Sequence, residues 1–271
     1  MNLPFDFASK KSLGQNFLID ENIARKMVHL LAPQPSDTIV EIGPGFGVLT
    51  KYIVPGGCRY IGIEIDERLI NFLRNEFAAF PNCEIRHVDF RRVNLTELAA
   101  GGKLRIIGNI PYHITSSLVF AAFAHRLALQ DMMLTVQKEV ADRIVATPET
   151  GGKNYGILSV VSQTFAETKI LFTMSKHVFR PKPEVDSAVV RWTFRPPPEN
   201  LIDTDFYLRM VKAIFGQRRK TLRQSLAAFL QKEISVKFPA DLQLLYGQRR
   251  PETLSIRELI QLANALISAK S

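Results

Sequence analysis

The strongest constraint on the fold is a rhythm. From about residue 20 to 195, short apolar runs alternate with segments of helical periodicity. Asp20 can cap a helix that carries Ile23, Met27, Leu30 and Leu31 on one stripe. Thr38-Ile39-Val40-Glu41-Ile42 then reads as a buried strand closed by glycines, and Tyr60 to Ile65 as a second. Asp66 caps a helix that aligns Leu69, Leu73 and Phe77, and further strands are expected at 83–88, 104–108, 131–136, 166–172 and 187–194. Such alternation folds as an α/β, doubly wound sheet with helices on both faces. Only 173–186 separates the last two strands, so an antiparallel pair is expected at one sheet edge.

Pro196-Pro197-Pro198 breaks this pattern, and the remainder of the chain has helical periodicity. Phe206, Met210 and Ile214 form one stripe, and Leu222, Leu226, Phe229 and Leu230 another. Ser255 with Glu258 makes a capping box. The expected division is therefore 1–198 and a small helical domain at 199–271. The second part holds 12 Lys/Arg against 7 Asp/Glu, so 12 − 7 = +5 of the chain's formal +9 is concentrated there, which favours an anionic partner. No apolar run approaches the roughly 18 residues of a membrane span, and the start lacks the features of a signal peptide. Cys58 and Cys83 fit neither a disulfide framework nor a metal-ligand spacing, which suits a cytoplasmic protein. The five histidines are scattered without ligand spacing, so no metal is expected.

Glu41-Ile42-Gly43-Pro44-Gly45-Phe46-Gly47 follows the first strand and precedes a helix expected over Val48 to Val54. Glycines at 43, 45 and 47 permit a sharp turn and close approach of a ligand. The dinucleotide fingerprint would place its last glycine at Val48, so the spacing favours a nucleoside ligand such as S-adenosylmethionine over NAD. Glu64, about 20 residues past Gly43, is placed to accept from both ribose hydroxyls. Asp89, after the third strand, is placed to accept from the cofactor adenine's amino group.

Gly108-Asn109-Ile110-Pro111-Tyr112 follows the fourth strand. An adenine amino nitrogen is a poor nucleophile because its lone pair is delocalised into the ring. Two acceptors on its protons, the Asn109 side-chain oxygen and the Ile110 carbonyl, would draw it toward sp³. Pro111 stiffens the turn and Tyr112 offers a flat face for an extruded base. Positioning against the sulfonium then supplies most of the acceleration, and no strong general base is needed.

Lys11 to Leu18, the glycine loop, Asn109 to Tyr112, Phe179 to Ser187 and Phe215 to Arg223 together resemble the rRNA adenine N6,N6-dimethyltransferases, from about residue 10 to 265. The Phe215 segment is similar to the small-subunit branch, whose loss gives kasugamycin resistance. The resemblance implies a Rossmann-like S-adenosylmethionine-dependent methyltransferase sheet with a small all-helical C-terminal domain. It also implies dimethylation of two adjacent adenines in the 3′-terminal stem-loop of 16S rRNA, in the small ribosomal subunit or its precursor. By matching position, Asn16, Leu18, Gly43, Glu64, Asp89 and Asn109 would contact the cofactor. Phe179 would be a second stacking surface opposite Tyr112. Ile110 stands where the small-subunit branch usually has leucine, and either residue supplies the same carbonyl.

Arg218, Arg219, Lys220 and Arg223 gather at the start of a predicted helix, where cations work against the helix dipole. A phosphate backbone is their expected partner, and Lys10 and Lys11 could extend that surface. An NAD-dependent oxidoreductase, an assembly factor without chemistry and a DNA adenine methyltransferase are the rivals. The missing glycine at 48, the intact Asn109-Ile110-Pro111-Tyr112, and the basic helices with the Phe179 motif argue against them in turn. A monomer is expected by default.

Overall fold

The structure is a computed structural model that describes residues 14–233 and 237–269. Two compact units emerge, one from Met1–Ala141 with Lys169–Phe194, the other from Asp142–Thr168 with Arg195–Ser271. The boundary expected near 198 falls at 194/195, and 142–168, expected within the first domain, groups with the helices. That segment contributes α7 (Ile157–Phe165), whose alanine-free, β-branched run resembles strand sequence and hides its helical period.

The first unit is built on strands β1 (Phe17–Leu18), β2 (Thr38–Ile42), β3 (Arg59–Glu64), β4 (Cys83–His87), β5 (Leu104–Asn109), β6 (Leu129–Gln137), β7 (Ala166–Met174), β8 (Phe179–Arg180) and β9 (Ser187–Phe194). Seven of them form one sheet in the order β4-β3-β2-β5-β6-β9-β7, and β1 pairs separately with β8. The β4-β3, β3-β2, β2-β5 and β5-β6 pairs are parallel, while β9 runs antiparallel to β6. The two late strands are neighbours at the edge, in keeping with the short link between them.

The helices of this unit are α1 (Glu21–Leu31), α2 (Thr50–Ile53), α3 (Glu67–Glu76), α4 (Leu95–Ala99), α5 (Thr115–Ala124) and the first half of α6 (Lys138–Val145). Asp20 accepts from Asn22 N and Ile23 N, and Asp66 from Arg68 N, so both expected caps form. Met27 and Leu31 of α1, Ile53 of α2 and Leu69 and Leu73 of α3 join Ile39, Tyr60 and Ile107 in one core. The helix expected over 48–54 begins only at Thr50, because residues 45–49 are still turning.

A charged cluster lies at the other ends of the strands. Arg105, 6% exposed, places Nε and Nη2 on the two oxygens of Asp131 (2.9 and 2.8 Å) and Nη1 on Asp37 (2.8 Å). Its Nη2 also donates to Leu31 O (2.7 Å), and Arg191 donates to Asp131 and Leu30 O. Two guanidiniums thus satisfy carbonyls at the end of α1 that the helix leaves open, where cations also complement the negative end of the helix dipole. Burial alone would raise the Asp131 pKa, but the two arginines override it and hold the carboxyl below the ordinary aspartate value.

In the second unit, α7 is joined by α8 (Thr204–Phe215), α9 (Leu222–Glu233), α10 (Ala240–Tyr246) and α11 (Ile256–Ser268). The expected Ser255–Glu258 capping box opens α11. Phe206 meets Phe229 at 5.4 Å, and buried Tyr155 donates its hydroxyl to Leu254 O at 3.0 Å. No described helix is long and apolar enough to cross a membrane.

Candidate active site

β2 lies between β3 and β5, so the chain winds outward from β2 in both directions. The crevice beyond the carboxyl ends of β2 and β5 is the switch point where open α/β sheets bind ligands. A cavity of about 370 Å³ occupies it. Its walls come from each strand end in turn: Gly43 to Phe46 after β2, Glu64 and Ile65 at β3, Val88 to Arg91 after β4, and Asn109 and Pro111 at β5. Gln15 to Leu18, Glu41, His113, Ile114 and Leu118 also line it.

Gly43, Gly45 and Gly47 all have positive φ (64°, 58° and 75°). Their reasons differ. Gly43 and Gly45 line the cavity, whereas Gly47 does not. A Cβ at Gly47 would sit 2.6 Å from Cε2 of Phe77, so this glycine lets the loop pack on α3 rather than on a ligand. Phe17 packs edge-on against Phe46, centroids 4.9 Å apart, and brings β1 over the loop.

Glu64 is 5% exposed. Its Oε1 accepts from Ile65 N (2.8 Å) and Asp66 N (2.9 Å), and its Oε2 from Gly45 N (3.2 Å). Burial raises its pKa against the opposing pull of these three donors, so the carboxylate gains from further hydroxyl donors. Behind it, Glu41 is 1% exposed and accepts from Tyr60 OH (2.7 Å) and Thr50 Oγ1 (2.9 Å). Burial outweighs both bonds, nearby Glu64 adds repulsion, and the Glu41 pKa is pushed up to about 7. Asp89 lines the cavity with both oxygens turned to Arg91, the shortest contact being 2.6 Å, and this pairing holds its carboxyl below the usual range.

At β5, Asn109 Nδ2 donates to Asn16 O at 2.7 Å. The amide is thereby oriented, with Oδ1 as the end left to accept. Gln15 Nε2 donates to Asp66 Oδ2 (3.0 Å), and β1 pairs Leu18 with Phe179 and Phe17 with Arg180. The segment 15–18 is thus tied to three strand ends at once. Neither its length nor its composition marks it in the sequence; a strand of two residues has no period to read.

The structure therefore gathers Asn16, Leu18, Gly43, Gly45, Glu64, Asp89, Asn109 and Pro111 around one cavity. It does not place Gly47, Ile110, Tyr112 or Phe179 in its lining. Ile110 is buried, and half-buried Tyr112 has its hydroxyl fixed 2.5 Å from Ser187 Oγ. Phe179 is 3% exposed and packs in the core beside Leu18, with no ring contact to Tyr112 among the described residues. Nothing in the described residues gathers three or more His, Cys, Asp or Glu that could hold a metal ion.

The basic cluster lies in the turn between α8 and α9, with Arg223 on the first turn of α9. Arg219, Lys220 and Arg223 are exposed. Arg218 is instead engaged within the unit, with Nε on Glu252 (2.9 Å) and Nη1 on Lys153 O (2.9 Å). Lys10 and Lys11 lie outside the described residues.

A family model described as ribosomal RNA adenine dimethylase matches residues 6–264. The chain is 45% identical over 270 residues to "Ribosomal RNA small subunit methyltransferase A" of Salinibacter ruber, covering 98% of this chain and 88% of that one. The protein of the same name from Chlorobium phaeobacteroides is 42% identical over 263 residues, with 96% and 95% covered. Among solved structures, a dimethyladenosine transferase from Plasmodium falciparum superposes with a TM-score of 0.77 at 25% identity, covering 93% of this chain and 98% of that one. The 23S rRNA methyltransferase ErmE shares the fold, with a TM-score of 0.65 at 24% identity over 92% and 100% of the two chains.

Proposed function

Because this chain belongs to the ribosomal RNA adenine dimethylase family, we propose that its target is the small-subunit RNA named by its relatives. It is an S-adenosylmethionine-dependent methyltransferase. The reaction is transfer to N6 of two adjacent adenines in the 3′-terminal stem-loop of 16S rRNA, in the small subunit or its precursor. The enzyme acts as a cytoplasmic monomer. The observation that carries this reading is the oriented Asn109 amide in the same cavity as the glycine loop and Glu64.

S-adenosylmethionine supplies the electrophilic methyl group. Gly43 and Gly45 leave room for it, and Glu64 is held by three backbone N–H groups so that it can take the ribose hydroxyls. Asp89 accepts from the cofactor adenine while remaining paired with Arg91. Asn16 O holds the Asn109 nitrogen, so that Oδ1 and the Ile110 carbonyl would accept from the N–H groups of the target amine. Both N–H groups are held before the first transfer and the remaining one before the second, and the proton displaced by each methyl passes to solvent. Tyr112 supplies the stacking face. Phe179, buried here beside Leu18, would be the second stacking surface by its matching position in the family. Residues 199–271 provide the RNA-binding domain, with Arg219, Lys220 and Arg223 on phosphates and Arg218 holding the unit together.

The test is methyl transfer from labelled S-adenosylmethionine to small subunits lacking the terminal-loop methylations, beside large-subunit RNA. N6,N6-dimethyladenine in the small subunit alone is expected, and label only in large-subunit RNA overturns the target. Asn109→Asp tests the mechanism, because a carboxylate cannot donate to Asn16 O. Transfer should fall by roughly 10²- to 10³-fold with RNA binding retained. Full turnover by that variant would remove Asn109 from the chemistry.

A further inference from the structure

α10 buries Leu242 and leaves its next two leucines in solvent, Leu244 at 89% and Leu245 at 67% exposure. A single exposed leucine is unremarkable, but two in succession on a helix of seven residues form a contiguous apolar tip. Its surroundings are charged. The chain leaving α10 is tied to the start of α9, since Leu222 N donates to Arg249 O at 2.8 Å and Arg223 N to Gly247 O at 3.0 Å. The same corner therefore carries Arg219, Lys220, Arg223 and Arg250, all exposed and none in an ion pair among the described residues. The acids nearby are already committed: Glu252 to Arg218 at 2.8 Å and Glu258 to Arg249 at 2.5 Å. Asp241, on the first turn of α10, is the exposed carboxylate left beside the leucines among the described residues.

We propose that Leu244 and Leu245 contact an unpaired or bulged nucleobase, between phosphates bound by Arg219, Lys220, Arg223 and Arg250. The proposal rests on the RNA-binding reading of the helical unit and deepens it. A partner for this corner must present both dense negative charge and an apolar face. Duplex RNA shows phosphates and sugars on its outside, whereas a base out of its stack adds the apolar face. Side chains of this kind wedge against bases where a strand is bent or opened. A lipid surface fits less well, because seven residues with Asp241 on the first turn give no long amphipathic face to lie in a membrane interface.

The test compares the full chain, the Leu244→Ser/Leu245→Ser variant and the Arg219→Ala/Lys220→Ala/Arg223→Ala variant, binding to unmethylated small subunits across a salt series. The serine variant should bind about tenfold more weakly at every salt concentration, with the slope against log salt unchanged. The alanine variant should flatten that slope by about 2–3. Unaltered thermal unfolding of both variants verifies the fold, as all the substituted side chains are exposed. Equal affinity of wild type and serine variant overturns the leucine contact while leaving the RNA reading intact. Binding of phosphatidylglycerol vesicles that the serine variant loses, with RNA binding unchanged, replaces the nucleobase by a lipid. Failure of the wild type itself to bind the particles sinks the RNA reading and the proposal with it.

Discussion

Replacing Glu41 by glutamine isolates the energetic consequence of a carboxyl group buried beneath the glycine loop. In the folded chain its pKa is about 7, against an ordinary 4.5, because burial outweighs the bonds from Tyr60 and Thr50. The folded state therefore holds a proton that the unfolded chain releases over this window. Its contribution is fully present below pH 4.5 and is lost as pH rises through 7. The shift of about 2.5 units corresponds to about 3 kcal/mol at 1.36 kcal/mol per unit. Glutamine keeps an oxygen for the Tyr60 and Thr50 hydroxyls but does not titrate. Its amide N–H₂ adds a roughly constant penalty of about 1–3 kcal/mol if it finds no acceptor. The variant should be the less stable protein at pH 4.5, gain on the wild type up to pH 7, and hold a constant offset above it. Urea unfolding at pH steps from 4.5 to 8.5 would measure this, and Trp192, the single tryptophan, buried in β9, reports on the first unit. Two stability curves that stay parallel across this range would refute the assignment of the proton to Glu41.

The charged cluster at the opposite end of the sheet responds in the other sense. Asp131→Asn leaves two guanidiniums without their shared carboxylate and should cost about 3–5 kcal/mol at pH 7, read as the shift in urea midpoint. Because the Asp131 pKa is lowered in the fold, the wild-type advantage is present above the ordinary 3.8 and disappears as pH falls below it, so the two proteins should converge in acid. Gly47→Ala should destabilise by about 2–4 kcal/mol, from its φ of 75° and its collision with Phe77. A loss of cofactor affinity at unchanged thermal stability would contradict that packing role.

The sheet is legible in the sequence because the central parallel strands are short apolar runs bounded by a turn or cap, with polar β4 (Cys83–His87) confined to the edge, and both Asp20 and Ser255 cap the expected helices. The glycine loop, Glu64, Asp89 and Asn109 are legible as a set because each follows a strand, and parallel strands deliver their ends to one side. The features that escape depend on partners distant in sequence. The pairing of Phe17 with Arg180 and of Leu18 with Phe179 has no local signal. Arg105 and Asp131 look like ordinary surface charges until β5 and β6 align them in the interior. The spacing of three glycines points Gly47 at the ligand and does not reveal that Phe77 crowds it. Arg218 sits in a run of cations and differs from its neighbours only by meeting Glu252.

The pairing of β1 with β8 also sets an order of events during synthesis. Residues 15–18 leave the ribosome ahead of β2, and their hydrogen-bonded partner at 179–180 follows only after β2 to β7 have been made. β9 must then insert between β6 and β7 before the sheet edge is complete. The glycine loop and Glu64 are made early, yet the wall formed by Phe17 and Leu18 gains its backing strand late. A nascent chain therefore lacks a finished wall to this cavity until nearly all of the first unit has been made.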